Sequence, residues 1–158
     1  MAKLFPLGAG ISRMMGILKI IKENDDKMDL AKLAEESEID IDSLLPLIEA
    51  CELFGFAQTK DSKIKLTKDG EMLNLRNMPK TLRNKLEVIE PFKSAVELLT
   101  KGELTSDELF ESMGTKGIVF HGEKAINNEI LKGLFVDWAL RTKLMRYDPE
   151  RDVWSLPR

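Results

Sequence analysis

The apolar spacing of this chain changes period at Gly55, and that change constrains the fold more than any other feature. Before it, Ile11, Met14, Met15, Leu18 and Ile21 recur at helical intervals, with Ser12 as the expected cap. A second helical stretch follows Asp29 and reaches about Ser37, with Leu30, Leu33 and Ala34 facing inward. A third starts at Asp42 or Ser43 and runs to about Phe54. Pro46 fits that helix as a residue in or beside the first turn, where amide protons have no intrahelical acceptor. Gly55 ends it, because glycine takes the left-handed conformation at low cost. Residues Phe56 to Thr59 and Lys63 to Leu66 then alternate around Lys60-Asp61-Ser62, which predicts a hairpin. The expected class is mainly α with small β-hairpins.

The second half repeats the plan at different lengths. After Asn77-Met78-Pro79, helical residues run from about Lys80 to Leu99, bent at Pro91. Thr105 or Ser106 caps a short helix through Met113, and Gly114-Thr115-Lys116-Gly117 reads as a loop. Glu123 to about Arg141 reads as a long helix, with Ile126, Ile130, Leu134 and Trp138 at four-residue steps, and Ile130, Leu134 and Trp138 are expected to form one buried stripe beneath the second hairpin. Leu144 to Tyr147 and Val153 to Leu156 then alternate around Asp148-Pro149-Glu150-Arg151-Asp152, a second hairpin. Helix, helix, helix, hairpin is the layout of a winged helix, so the expectation is tandem winged-helix-like units. Their bounds are an irregular lead-in over 1–10, a first unit over 11–78, and a second over 79–158 sharing an extended core.

The residues carry a resemblance. Met15-Gly16-Ile17-Leu18, Leu44-Leu45-Pro46-Leu47-Ile48-Glu49-Ala50, Leu53-Phe54-Gly55-Phe56-Ala57 and Leu66-Thr67-Lys68-Asp69-Gly70 resemble the AAA-associated C-terminal domain family. So do Ile89-Glu90-Pro91-Phe92, Val136-Asp137-Trp138 and the closing Tyr147-Asp148 through Val153-Trp154-Ser155-Leu156. Members of that family usually lie downstream of the ATPase of nitrate/sulfonate/taurine-type ABC transporters. The resemblance implies a regulatory or coupling module and supplies no catalytic residues. Here no ATPase precedes the domain, so the expected partner is an ABC-type ATPase encoded separately.

Composition narrows the chemistry. With 24 basic and 27 acidic residues the net charge is −3, a poor general match to a polyanion. The single cysteine, Cys51, cannot form an intrachain disulfide, which fits a reducing compartment and a cytoplasmic protein. It lies on the apolar side of the third helix between Glu49 and Glu52, where a small hydrophobe is expected rather than a reactive thiolate. The single histidine, His121, falls in the loop before the long helix. No uncharged apolar run is long enough to span a bilayer. A phosphate-binding loop needs Gly-Lys-Ser/Thr after its glycines; neither Gly8-Ala9-Gly10 nor Gly122-Glu123-Lys124 supplies it. The carboxylate pairs Asp25/Asp26, Glu35/Glu36 and Asp40/Asp42 lack a partner base, so no enzyme, cofactor or metal site is expected.

Charge placement separates two binding modes. Residues 42–54 contain Asp42, Glu49 and Glu52 and no lysine or arginine. A helix of that sign between two rows of phosphates costs Coulomb energy and offers no bidentate contact to guanine. Its outer face, with Pro46, Glu49, Ala50 and Leu53, suits a protein partner. The alternative, a winged-helix DNA-binding transcription regulator, rests on Lys60, Lys63, Lys65 and Lys68 at the first hairpin and on Arg141, Lys143, Arg146 and Arg151 around the second. Those residues can hold phosphates, but nothing among them reads bases.

Overall fold

The computed structural model describes residues 3–6, 8–115 and 128–157. The chain divides into two compact units: Pro6–Asn74, and Met1–Phe5 with Leu75–Arg158. Each is mainly helical and carries a three-stranded antiparallel sheet.

The unit Pro6–Asn74 opens with α1 (Ile11–Glu23), whose N-cap is Gly10 rather than Ser12. The helix buries Ile11, Met14, Ile17, Leu18 and Ile21. β2 (Lys27–Asp29) follows; β1 belongs to the other unit and is given below. It is absent from the sequence reading, because three residues carry too little alternation to register. α2 (Leu30–Ser37) follows Asp29, whose side chain makes no capping hydrogen bond. α3 (Ile41–Leu53) begins earlier than expected: Asp40 is the cap, its Oδ1 accepting the Ser43 amide at 2.9 Å and its Oδ2 the Ser43 hydroxyl at 3.1 Å. Pro46 therefore lies inside the helix, in its second turn, where it cannot donate to the Asp42 carbonyl. Gly55 ends α3 at φ 77°, with Phe56 N–H donating to Cys51 O at 2.8 Å and Gly55 N–H to Glu52 O at 3.0 Å.

The hairpin β3 (Ala57–Lys60) and β4 (Lys63–Leu66) turns on Asp61 and Ser62, both at positive φ, as a two-residue hairpin loop demands. β2 adds to the far side of β4, giving the order β2-β4-β3. Thr67 then caps α4 (Lys68–Met72), accepting the Gly70 amide at 3.1 Å while donating to Gly55 O at 2.6 Å. A Cβ placed on Gly70 would lie 2.0 Å from the Phe56 carbonyl oxygen. The Leu-Thr-Lys-Asp-Gly segment thus clamps the end of α3 onto the end of the hairpin.

In the other unit β1 (Lys3–Leu4) lies parallel to β5 (Ile89–Glu90), so the expected irregular lead-in contains a strand. The helix expected over 80–99 is two: α5 (Met78–Leu86) and α6 (Phe92–Leu99), parted by β5. The bend at Pro91 is a full interruption, because Ile89 and Glu90 pair with β1 and Pro91 has no amide proton for a helix. Glu90 caps α6 from outside, its carboxylate accepting the Ser94 amide at 2.8 Å and the Ser94 hydroxyl at 2.5 Å. β6 (Leu104–Thr105) leads into α7 (Ser106–Thr115), which takes in Gly114 and Thr115 of the expected loop. Thr105 and Glu108 form a reciprocal capping box: Glu108 N–H donates to Thr105 Oγ1 at 3.1 Å, and Thr105 N–H to Glu108 Oε1 at 2.9 Å.

α8 (Asn128–Leu134) continues into a π-helical segment, Phe135–Leu140; the start expected at Glu123, with Ile126, lies outside the described residues. The predicted stripe is corrected here. Ile130 is 45% exposed and Leu134 half-buried, while Leu131, Phe135, Trp138 and Ala139 are buried. Steps of four residues drift around a helix by about 40° each, so a run of them leaves any single face. β7 (Arg146–Asp148) and β8 (Val153–Ser155) close the chain, and the order β6-β8-β7 matches that of the first sheet. In both units the backbone of the hairpin turn accepts from the first helical amide after the added strand: Leu30 N–H to Ser62 O at 3.0 Å, Ser106 N–H to Asp152 O at 3.1 Å.

The core of this unit is aromatic. Phe135 packs on Phe92, Phe110 and Trp154 at centroid distances of 5.3, 5.5 and 5.7 Å. Phe5 bridges Phe92 at 5.5 Å and Trp138 at 4.7 Å, and Tyr147 lies 4.5 Å from Trp154.

Two outcomes follow. Gly70→Ala should lower stability by about 1–3 kcal/mol through overlap with the Phe56 carbonyl. Gly16→Ala, in α1 with open space around it, should raise it by about 0.5–1 kcal/mol. Urea unfolding of both variants checks the pair. Trp138→Ala should cost about 3–5 kcal/mol, whereas Ile130→Ala should be close to neutral; equal melting of Trp138→Ala and parent would contradict the packing.

Candidate functional site

Register places the basic residues of the first sheet. Lys27 pairs with Lys65 across β2 and β4, and Lys65 with Gln58 across β4 and β3. One row on, Asp29 pairs with Lys63 and Lys63 with Lys60. These six residues share one face, all exposed, while Met28, Ile64 and Leu66 are buried on the other. Lys60, Lys63 and Lys65 therefore come together as expected. Lys68 does not join them, being the first residue of α4. Lys27 takes the fourth place; sequence reasoning missed it because the strand carrying it was missed. Two lysine pairs stand directly opposite, about 4.5–5.5 Å between Cα atoms, an arrangement that destabilises an isolated sheet. None of these lysines has a carboxylate within 4 Å among the described residues.

The expected partner face on α3 is partly rearranged. Ala50 is buried at 0% exposure and leaves the outer surface, while Pro46 and Leu53 are half-buried and Glu49 is exposed. Ile41 and Leu45, at 47% and 46% exposure, supply the apolar part instead. Helical spacing aligns Ile41, Asp42, Leu45, Glu49 and Glu52 on this side. Ala50 turns inward because it follows Leu47 by three residues and precedes Phe54 by four, all on the core side. The Ser43 amide and hydroxyl lower the Asp40 pKa, keeping that cap ionised well into acid. Burial, with the nearby Glu52 charge, pushes the Cys51 thiol upward, so it stays protonated and unreactive.

Two of the four residues of the second basic cluster are committed to ion pairs. Arg151 is ion-paired to Glu103 and lies 3.8 Å from Asp148; Arg141 lies 3.3 Å from Asp137. Lys143 sits at φ 61° as the left-handed helix stop that Gly55 provides in the other unit, with Leu144 N–H donating to Ala139 O at 2.9 Å. Arg146 is exposed at the start of β7. His121 lies outside the described residues.

Between these arginines is a network the sequence reading did not contain. Asp152 Oδ1 accepts from Ser106 Oγ at 2.6 Å, from the Tyr147 hydroxyl at 2.5 Å, and faces Lys132 Nζ at 3.3 Å. Ser106 Oγ in turn accepts the Trp154 indole N–H at 2.8 Å. Three donors on one oxygen make this a clasp between the hairpin, α7 and α8. The Ser106 and Tyr147 hydroxyls, and then Lys132, hold Asp152 below the usual aspartate range; Tyr147 and Asp152 raise Lys132. Among the described residues, no group of three or more His, Cys, Asp or Glu is placed to hold a metal ion. None of the helices there is long and apolar enough to cross a membrane.

The described chain is thus a protein of two small helical units, each closed by a three-stranded sheet with the same strand order. The sequence profile of the C-terminal AAA-associated domain family matches residues 31–148, and the chain belongs to that family. It is an accessory module by family. Neither a search of curated proteins nor one of solved structures finds a match.

The clasp has a pH signature. Because the folded-state pKa of Asp152 is depressed, its stabilisation is complete above the usual aspartate value of 3.8 and fades as pH falls through the lower folded value. Asp152→Asn should therefore be less stable than parent at neutral pH, and the gap should close on strong acidification, as read by urea unfolding at both pH values.

Proposed function

We propose that this chain is a non-catalytic regulatory or protein-interaction module of two winged-helix-like units, acting with an ABC-type ATPase. The observation that carries the reading is the outer face of α3. Ile41 and Leu45 are large apolar side chains left almost half exposed, framed by Asp42, Glu49 and Glu52, with no lysine or arginine anywhere on the helix. Exposed apolar side chains bordered by charged ones are the make-up of a protein contact surface. The same face is poorly suited to a phosphate-lined groove. Membership of the AAA-associated family supports an ATPase as the partner.

A DNA-binding regulator is the second reading, favoured by the lysine-bearing face of the first sheet. That face can neutralise phosphates but carries no guanidinium fork for base edges.

Co-purification with the cognate ATPase tests the first reading. Leu45→Asp and Glu49→Lys should each weaken the complex about tenfold or more, while Lys63→Ala with Lys65→Ala should not weaken it. The purified chain should show no saturable ATP hydrolysis of its own. Nanomolar, sequence-selective duplex binding at physiological salt, with no ATPase retained, would overturn the proposal in favour of the second reading.

A further inference from the structure

The unit Pro6–Asn74 is electrically two-sided. Between Lys32 and Lys60 the chain carries seven acidic residues and no basic one, and all seven are exposed: Glu35, Glu36, Glu38, Asp40, Asp42, Glu49 and Glu52. On α3, Asp42, Glu49 and Glu52 have no basic group within 4 Å among the described residues. The same unit presents Lys27, Lys60, Lys63 and Lys65 on one sheet face beside a single acidic residue, Asp29, and none of the four has a carboxylate within 4 Å among the described residues. These two surfaces do not neutralise each other within one copy. The helix and the sheet are elements of a single packed unit; Glu52 accepts from the Thr59 hydroxyl of β3 at 3.2 Å, but no carboxylate of α3 lies within 4 Å of these lysines among the described residues.

The geometry points to head-to-tail association of two copies, the acidic, part-apolar face of α3 from one seated on the lysine-bearing face of the first sheet of the other. Charge complementarity selects this occupant, because both halves of the contact are present on one chain. An acidic neighbour relieves the facing pairs Lys27–Lys65 and Lys60–Lys63, which repel one another in the free sheet. Ile41 and Leu45 lie beside the acidic residues of this face and lose water on contact with the lysine stems and Gln58. A contact between two different faces is heterologous, so it closes into a ring or extends into a chain according to its rotation. The inference rests on the reading of α3 as a contact face. It adds that self-association covers the surface proposed for the ATPase, so that the free module is held back until the partner displaces the second copy.

Sedimentation velocity over a concentration series is the test. In low salt the parent should shift to larger species as concentration rises. At about 1 M salt, where the Debye length shrinks to about 3 Å, it should be monomeric. Two reversed variants separate charge from fold: Lys63→Glu with Lys65→Glu, and Asp42→Lys with Glu49→Lys. Each alone should weaken association about tenfold or more, since like faces like. An equimolar mixture of the two should associate again, because acidic sheet then meets basic helix. A parent that stays monomeric in low salt, association that survives both reversals, or a mixture that fails to recover would each overturn the proposal. Selective capture of duplex DNA by a monomeric parent would do the same and name the other occupant. ATPase binding is scored separately: a monomer that still binds the ATPase sinks this inference alone, and a self-associating chain that never binds it sinks the functional reading alone.

Discussion

Phe135 is the point from which the unit containing the C-terminal hairpin is built. Its ring meets rings from α6, α7 and β8; Phe5 and Tyr147 follow one step out, through Phe92 and Trp154, and Trp138 packs on Phe5 beyond. Each such pair contributes about 0.5–1.5 kcal/mol beyond the area it buries, but the larger effect is directional. Edge and tilted contacts fix the angle at which each helix approaches, and the π-helical turn that begins at Phe135 aims Trp138 at Phe5. The polar clasp of Asp152 sits at the rim of this cluster. Trp154 joins the two, packing its ring on Phe135 while its N–H reaches Ser106. The unit Pro6–Asn74 has no such cluster, only Phe54 and Phe56 at 5.7 Å, and depends instead on aliphatic packing and on the clamp of Thr67 and Gly70.

That contrast bears on function. A unit held by aliphatic side chains and a backbone clamp keeps its charged residues outside the packing problem. Among the described residues, on the acidic side of α3 only Glu52 has a packing partner, accepting from the Thr59 hydroxyl at 3.2 Å, whereas Arg141 and Arg151 are engaged with Glu103, Asp137 and Asp148. Of two units with the same strand order, one ties two of its basic residues into ion pairs and the other presents four lysines outward.

Much of the fold was legible because it is locally encoded. α1 and α3 announce themselves by apolar period, Gly55 by its need for positive φ, and the first hairpin by a polar turn between alternating segments. What escaped is what only distant partners define. Strands of two or three residues, such as Lys27–Asp29 and Ile89–Glu90, exist because another strand lies beside them. Their own side chains show no pattern. Missing β2 meant missing Lys27, the fourth charge of the basic face. The sign of α3 was readable from composition, but its outward residues were not all identified: Ala50 looks inward and Leu45 outward, a difference of half a turn that spacing arguments resolve only once the helix start is known. Arginine engagement was invisible for the same reason, since Glu103 and Arg151 are brought together by sheet pairing.

The pairing of Lys3–Leu4 with Ile89–Glu90 makes the unit Pro6–Asn74 an insertion within the other. On the ribosome, β1 emerges first and its partner roughly eighty residues later, a wait of about 4–16 s at ordinary elongation rates. The aliphatic unit can complete itself in that interval, while Phe5 has no pocket to enter. Closing so long a loop costs about 4 kcal/mol in chain entropy when the intervening segment is unstructured. A folded insert replaces that wandering segment with a fixed span, so the order of synthesis lowers the entropic barrier to the last step. Birth order along the chain and assembly order in space are therefore reversed for its first strand.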